Sequence, residues 1–205
     1  MIDLYMAGTA NGFRASVALE EAGLPYRIHK VDLAKGENRT PEFLKLNPAG
    51  LIPVIVDHDG PGGKPLTLSQ SGAIILYAAE KAGKFLPKDA VRRVMALQWF
   101  TQGLSDVAGT SGALFRVENS VPEKIAANTD YFKKRLLGFF SVCDAQLAGR
   151  EYLADELSVA DLMLYPNFAL RKQLIDQAGG FANLQRWGAL MASRPAVQKG
   201  MKVLG

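Results

Sequence analysis

Residues 2–33 read IDLYMAGTANGFRASVALEEAGLPYRIHKVDL. A short apolar run, Ile2 to Ala7, has the look of a strand and leads into a loop bounded by Gly8 and Gly12. Helical spacing of apolar residues then runs from Gly12 to Ala22 and is closed by Gly23. A second strand, Tyr26 to Leu33, completes a β-α-β opening. The loop offers Thr9 and Asn11 as its polar side chains and holds no lysine, cysteine or histidine.

Outward from this unit, a loop through Gly36 and Asn38 reaches a short helical turn capped by Thr40, with Pro41 at its first position. Hairpin arms follow at Leu51 to Val56 and Pro65 to Leu68, joined by the turn-rich DHDGPGGK, and then a helix from Ser71 to Ala82. The order β-α-β, then β-β-α, is that of a thioredoxin-like domain, assigned to residues 1–83. After GKFLPKDA no strand signal remains from Val91 onward, and the apolar period is close to 3.6. The chain therefore reads as α/β plus all-α, with residues 84–89 as a linker and 90–205 as a helical domain. Its helices are expected from Ala90 to about Phe115, bent at Gly103, Gly109 and Gly112, and from near Pro122 to Leu147. In LSVADLMLYP, Ser158 is an N-cap with Asp161 three residues on, opening a buried helix that contains Pro166. Further helices are expected from Leu184 to Ser193 and from Pro195.

The totals narrow the function. Twenty-four basic and 20 acidic residues give a net charge of +4 spread along 205 residues, so no basic stripe calls for nucleic acid. The run Lys133, Lys134 and Arg135 reads as a solvated helix face. No apolar run has the length of a membrane span, and MIDLYMAGTA lacks the regions of a signal peptide, so the expectation is a cytoplasmic protein with no membrane partner. The single Cys143 lies among Phe139, Phe140 and Leu147 at helical spacing and reads as a buried structural thiol. His29 and His58 lack metal-ligand spacing, and no metal is expected.

Three stretches carry candidate chemistry. GTANG fits neither phosphate-binding loop pattern, which leaves the helix N-terminus behind it, whose free N–H groups favour an anion. In NPAGLIPVIVD, residues 47–57, Pro53 cannot donate to a ladder and belongs at the start or edge of its strand. A cis proline there would expose the backbone of Ile52 to an extended peptide; a trans edge proline is the alternative, and the sequence leaves both open. In LSQSGAIILY, Gln70 and Ser71 stand at a helix start, with Ser71 read as the N-cap, and make a carboxylate site. Together the stretches suit a short peptide bearing a thiol and an α-carboxylate.

NPAGLIPVI, SQSGAIILYAAEK and YLADELSVADLMLYP resemble the glutathione-binding and helical-domain segments of the glutathione transferase family, and the resemblance covers the whole chain. Within that family the first 33 residues are most similar to the bacterial Nu class and its fungal prion-related relatives, in which Thr and Asn replace the catalytic Tyr, Ser or Cys. Several Nu-class proteins reduce small disulfides with glutathione. The resemblance implies that Thr9 and Asn11 are catalytic and face the glutathione sulfur. It places Asn38 at the peptide's glycine end and Leu51, Ile52 and Pro53 at the binding edge, with Ile52 pairing the cysteine backbone. Gln70 and Ser71 would take the γ-glutamyl carboxylate and amine. Leu51 departs from the class pattern, which often has a polar or basic residue there, and Gln70 stands where Glu is usual. A helical-domain arginine that reaches glutathione across the dimer in some relatives has no clear match near NTDYFKKR. By resemblance the protein is a homodimer whose co-substrate is glutathione and whose second substrate is a small electrophile or disulfide. The alternative is a non-catalytic glutathione-binding regulator or carrier.

The chemistry needs no base. Lowering a thiol from about 8.5 by about two units takes about 2.7 kcal/mol of preference for the anion. A helix N-terminus supplies about 0.3 to 2 kcal/mol and a hydrogen bond to a charged acceptor about 1.5 to 3. Thr9 and Asn11 are therefore expected to stabilise a thiolate without abstracting its proton. Tyr5, inside the strand, is assigned to packing, and Ser16, deep in the helix, to packing or solvent. The second substrate is expected between the domains near Phe115 and Arg116, and Trp99, Phe100, Phe139 and Phe140 in the core or a dimer interface.

Overall fold

A computed structural model describes residues 1–205. Its chain divides into two units, Met1–Lys84 with Ser193–Gly205, and Phe85–Ala192.

The first unit is built on a four-stranded sheet in the order β2-β1-β3-β4: β1 (Ile2–Met6), β2 (Tyr26–Lys30), β3 (Val54–Asp57) and β4 (Leu66–Ser69). β1 runs parallel to β2, which requires a crossover, and α1 (Ala10–Ala22) supplies it. β3 is antiparallel to both β1 and β4, with Val54 paired to Tyr5 on one side and to Ser69 on the other. α2 (Pro41–Leu46) starts at Thr40, whose hydroxyl accepts from the Phe43 N–H, and α3 (Ser71–Ala82) ends on Gly83 at φ 64°. Leu4, Met6, Leu19, Ile55, Ile74 and Ile75 are fully buried and form the core. β3 begins later than expected because Pro53 leads into it, while the Leu51 carbonyl is taken by the Asn47 side chain at 2.7 Å.

The expected boundary at 90–205 differs from this division at the C-terminus. α10 (Pro195–Lys202) packs on α1, where Gly200 lets the backbones approach: a Cβ there would stand 2.7 Å from the Val17 Cα. Arg194 grips the carboxylate of buried Glu21 at 2.6 and 2.8 Å, and Ser16 donates to the Gly200 carbonyl at 2.7 Å. Ser16 is thus a packing residue, one of its two expected fates.

The second unit is helical: α4 (Ala90–Thr101), α5 (Ala108–Asn119), α6 (Ala126–Gln146), α7 (Val159–Leu170), α8 (Lys172–Ala178) and α9 (Ala182–Ser193). The long helix expected to bend at its glycines instead passes through a π-helical segment, Gln102–Val107, in which Gly103 packs against Met163. α7 opens with the expected capping box: Asp161 accepts from the Ser158 N–H at 3.0 Å and from the Leu153 N–H and Trp187 indole at 3.1 and 2.9 Å. α8 has no counterpart in the sequence reading, because Ile175 is its one buried residue and leaves no apolar stripe to read. Trp99, Phe100 and Phe140 are buried, while Phe139 lies partly exposed under the Arg135 guanidinium. No helix is long and apolar enough to cross a membrane.

Candidate active site

Because Val54 pairs with both Tyr5 and Ser69, three chain segments leave the sheet at one end: the loop after β1, the Ile52–Pro53 approach to β3, and the Gln70–Ser71 junction after β4. These are the three stretches singled out by sequence. The loop after β1 is short because Gly12 sits directly against the end of the strand, where an added Cβ would lie 2.2 Å from the Ala7 carbonyl oxygen. Thr9 is the N-cap of α1, and its hydroxyl oxygen accepts from the Gly12 N–H at 3.2 Å. The Phe13 N–H starts the helical ladder on the Thr9 carbonyl, which leaves the Ala10 and Asn11 N–H groups open at the helix end.

Beneath this end lies a charge. Arg14 is 2 % exposed, and its Nη1 donates both to Oδ1 of Asn11 and, at 3.1 Å, to Oγ of Ser71. Ser71 is the first helical residue of α3 and not its cap, and its oxygen accepts from Arg14; Gln70 holds the cap position at φ 73° without a capping side-chain bond. Burial pulls the guanidinium down to about 10, so it is still protonated at neutral pH. The hydrogen-bond polarity follows. The oxygens of Thr9, Asn11 and Ser71 each accept from inside the protein, which leaves two hydroxyl hydrogens and one amide group as donors for something else.

The peptide edge is equally fixed. The Ile52–Pro53 bond is cis. Asn47, buried at the end of α2, donates to the Leu51 carbonyl at 2.7 Å and accepts from the Ala49 N–H at 3.2 Å. Asn38 donates to the Gly50 carbonyl at 2.7 Å and Arg39 to that of Ala49 at 3.1 Å. Held by these three side chains, the loop presents Leu51 exposed and Ile52 half-buried, with Pro53 beneath.

The chain is similar to known proteins in both sequence and fold. Residues 10–81 match the glutathione S-transferase N-terminal domain family. The disulfide-bond oxidoreductase YfcG of Escherichia coli (strain K12) is 38 % identical over 199 residues, 96 % of this chain and 92 % of that protein. This chain belongs to the glutathione transferase family. A crystal structure of the Pseudomonas putida glutathione transferase, with one glutathione disulfide bound per subunit, superposes with a TM-score of 0.92 at 34 % identity, covering 100 % of this chain and 92 % of that one. Another, from Burkholderia graminis with two glutathione molecules per subunit, gives 0.90 at 35 % identity over 99 % and 88 %.

In this glutathione transferase the sequence-expected residues divide by exposure. Asn11, Leu51 and Gln70 are exposed, Thr9, Asn38 and Ile52 are partly so, and Pro53 and Ser71 are buried. Asn38 spends an amide hydrogen on the loop itself. Tyr5 stacks on His29 with ring centroids 4.5 Å apart and meets Phe43 edge-on at 6.4 Å, so it packs under the sheet end as expected. His29 and His58 both bond the buried Asp3 carboxylate, at 3.0 and 2.7 Å. Sequence reasoning passed over Arg14, Arg39 and Asn47. For Arg14 a signal existed: an arginine within a helix whose residues 14–19 are all buried must have a local reason to be there.

Proposed function

We propose that this glutathione transferase binds glutathione along the Leu51–Pro53 edge, stabilises its thiolate at Thr9 and Asn11, and uses it to reduce a small disulfide. Asn38, Gln70 and Ser71 complete the peptide site, with Ser71 and Gln70 at the γ-glutamyl end. The observation that carries this reading is the donor polarity at the start of α1: Thr9 and Asn11 have their acceptors occupied from within, so what remains there favours an anion.

The chain supplies no sulfur nucleophile, since burial pushes the Cys143 thiol up to about 12. The attacking sulfur is then that of glutathione. Its thiolate forms a bond to one sulfur of the substrate disulfide and expels the other as a thiolate, which takes a proton from solvent. A second glutathione thiolate attacks the glutathione sulfur of the mixed disulfide and expels the remaining substrate thiolate. Two glutathiones are oxidised to one glutathione disulfide as one disulfide becomes two thiols. The relatives holding a glutathione disulfide or two glutathiones per subunit support room for both peptides.

The working form we propose is a cytoplasmic homodimer. α4 supports the dimer: Val91, Val94 and Met95, at helical spacing, are 72, 64 and 41 % exposed. Sedimentation at micromolar concentration giving twice the mass of 22.2 kDa is the expected result.

The deciding experiment is an ultraviolet titration of bound glutathione thiolate, with glutathione-dependent reduction of bis(2-hydroxyethyl) disulfide measured alongside. A thiol titrating about two units below its free value, restored by Thr9→Ala or Asn11→Ala, is the expected outcome. Tight binding with an unshifted thiol and no turnover would mark a glutathione carrier instead. Turnover only with carbon electrophiles would mark a conjugating enzyme.

A further inference from the structure

We propose that Arg14 is the positioning residue of the site, a buried cation that sets the hydrogen-bond polarity of Asn11 and Ser71 together and lends its unneutralised charge to the bound glutathione anion. The inference rests on the proposed glutathione site and deepens it. Three observations carry it. Arg14 is 2 % exposed, yet it takes part in no ion pair, and its Nε has no hydrogen-bond partner. A buried guanidinium without a carboxylate is costly unless an anion completes it. Its Nη1 reaches two residues 60 positions apart, Asn11 and Ser71, which stand at the starts of α1 and α3.

The chemistry of these two bonds fixes what each partner can offer. With Oδ1 of Asn11 held by Arg14, the outward group of that side chain is the amide donor. With Oγ of Ser71 accepting from the same nitrogen, the serine hydrogen is left to donate. One cation therefore orients donors for two of the peptide's three anionic groups, the thiolate and the γ-glutamyl carboxylate. Both bonds polarise their acceptors and strengthen the donors beyond them.

The test compares wild type with Arg14→Met and Arg14→Lys by thiolate titration, by KM for glutathione and by kcat for disulfide reduction, with thermal melts as control. In Arg14→Met the bound thiol is expected to rise by about one unit and KM by about tenfold. Arg14→Lys keeps the charge on a shorter side chain whose nitrogen does not reach the position of Nη1, so it should recover most of the thiol shift and little of the KM. Should Arg14→Met fail to fold, Asn11→Ala, Ser71→Ala and their double variant read the same linkage. Because both act through Arg14, the double variant should raise KM by less than the product of the single effects. Wild type without glutathione binding overturns the site and this inference with it. A wild type with a lowered thiol and a folded Arg14→Met that matches it overturns the Arg14 assignment alone, as does strict multiplicativity of the two alanine variants.

Discussion

The hydroxyl of Ser16 donates to the carbonyl of Gly200, 2.7 Å away and 184 positions later in the chain. This bond lies where α10 packs on α1, at a glycine whose added Cβ would stand 2.7 Å from the Val17 Cα. Gly200→Val would drive a side chain into the backbone of α1, so it should destabilise the first unit by at least about 2 kcal/mol. Urea unfolding followed by tyrosine and tryptophan emission checks this, and a midpoint equal to wild type would mean that α10 is not part of the folding unit.

Gln70 illustrates a residue kept against its backbone preference. Its φ of 73° lies in the region that glycine occupies freely, and it caps α3 without a side-chain bond. Gln70→Gly should therefore raise stability by about 1 kcal/mol while weakening glutathione binding through loss of the side-chain amide. Paired melting and isothermal titration measurements separate the two effects, and a variant less stable than wild type would refute the argument.

Cys143 lies in α6 at 1 % exposure, among Phe140 and Leu147 in the helical core. Cys143→Ala should cost about 1 kcal/mol of stability and leave disulfide reduction at the wild-type rate. The native thiol should also resist a thiol-specific chromogenic reagent until denaturant is added. A large loss of kcat in this variant would contradict glutathione as the source of the attacking sulfur.

Asp3 gives the fold an acid limit. Its hydrogen bond to His58 is the strongest influence on its titration, joined by His29 and Arg27 against the opposing effect of burial, and the carboxyl is held well below the usual range. The folded chain thus binds this proton less readily than the unfolded chain does. The associated stability is present above the unfolded value of about 3.9 and is lost as pH falls through the folded value. Asp3→Asn should be weaker than wild type near neutrality, and the two urea midpoints should converge as the solution is acidified below that value.

How much of this was legible in the sequence depends on how local each cause is. The β-α-β opening, the Thr40 cap, the α3 span from Ser71 to Ala82 and the Ser158–Asp161 box all follow from residues within a few positions of one another; all are present, with α1 starting at Ala10, two residues before the expected Gly12, and β2 ending at Lys30, three before the expected Leu33. The π-helical turn does not, because Gly103 answers to Met163, sixty residues away. The same is true of α10, whose place is set by Ser16, Val17 and Glu21. Ser71 looks like a cap in isolation, but the cap position falls to Gln70 and the Ser71 oxygen accepts from Arg14, which no local pattern joins to it. The candidate site residues stand in short motifs and follow from the resemblance, whereas the bonds that tie Arg14 to Ser71, and Arg39 and Asn47 to the loop before Pro53, are visible only once the chain is folded.

The closed environment of Cys143 also bears on how the protein meets oxidants. A chain with one sulfhydryl, shut away from solvent, has no thiol redox state of its own. Neither a disulfide nor a sulfenic acid is available to it as a stored form, so an oxidising pulse leaves its cysteine chemistry as it was. Whether it works forward or in reverse is then dictated by the two couples it joins, reduced against oxidised peptide on one side and substrate thiol against substrate disulfide on the other, as for a conduit between two reservoirs.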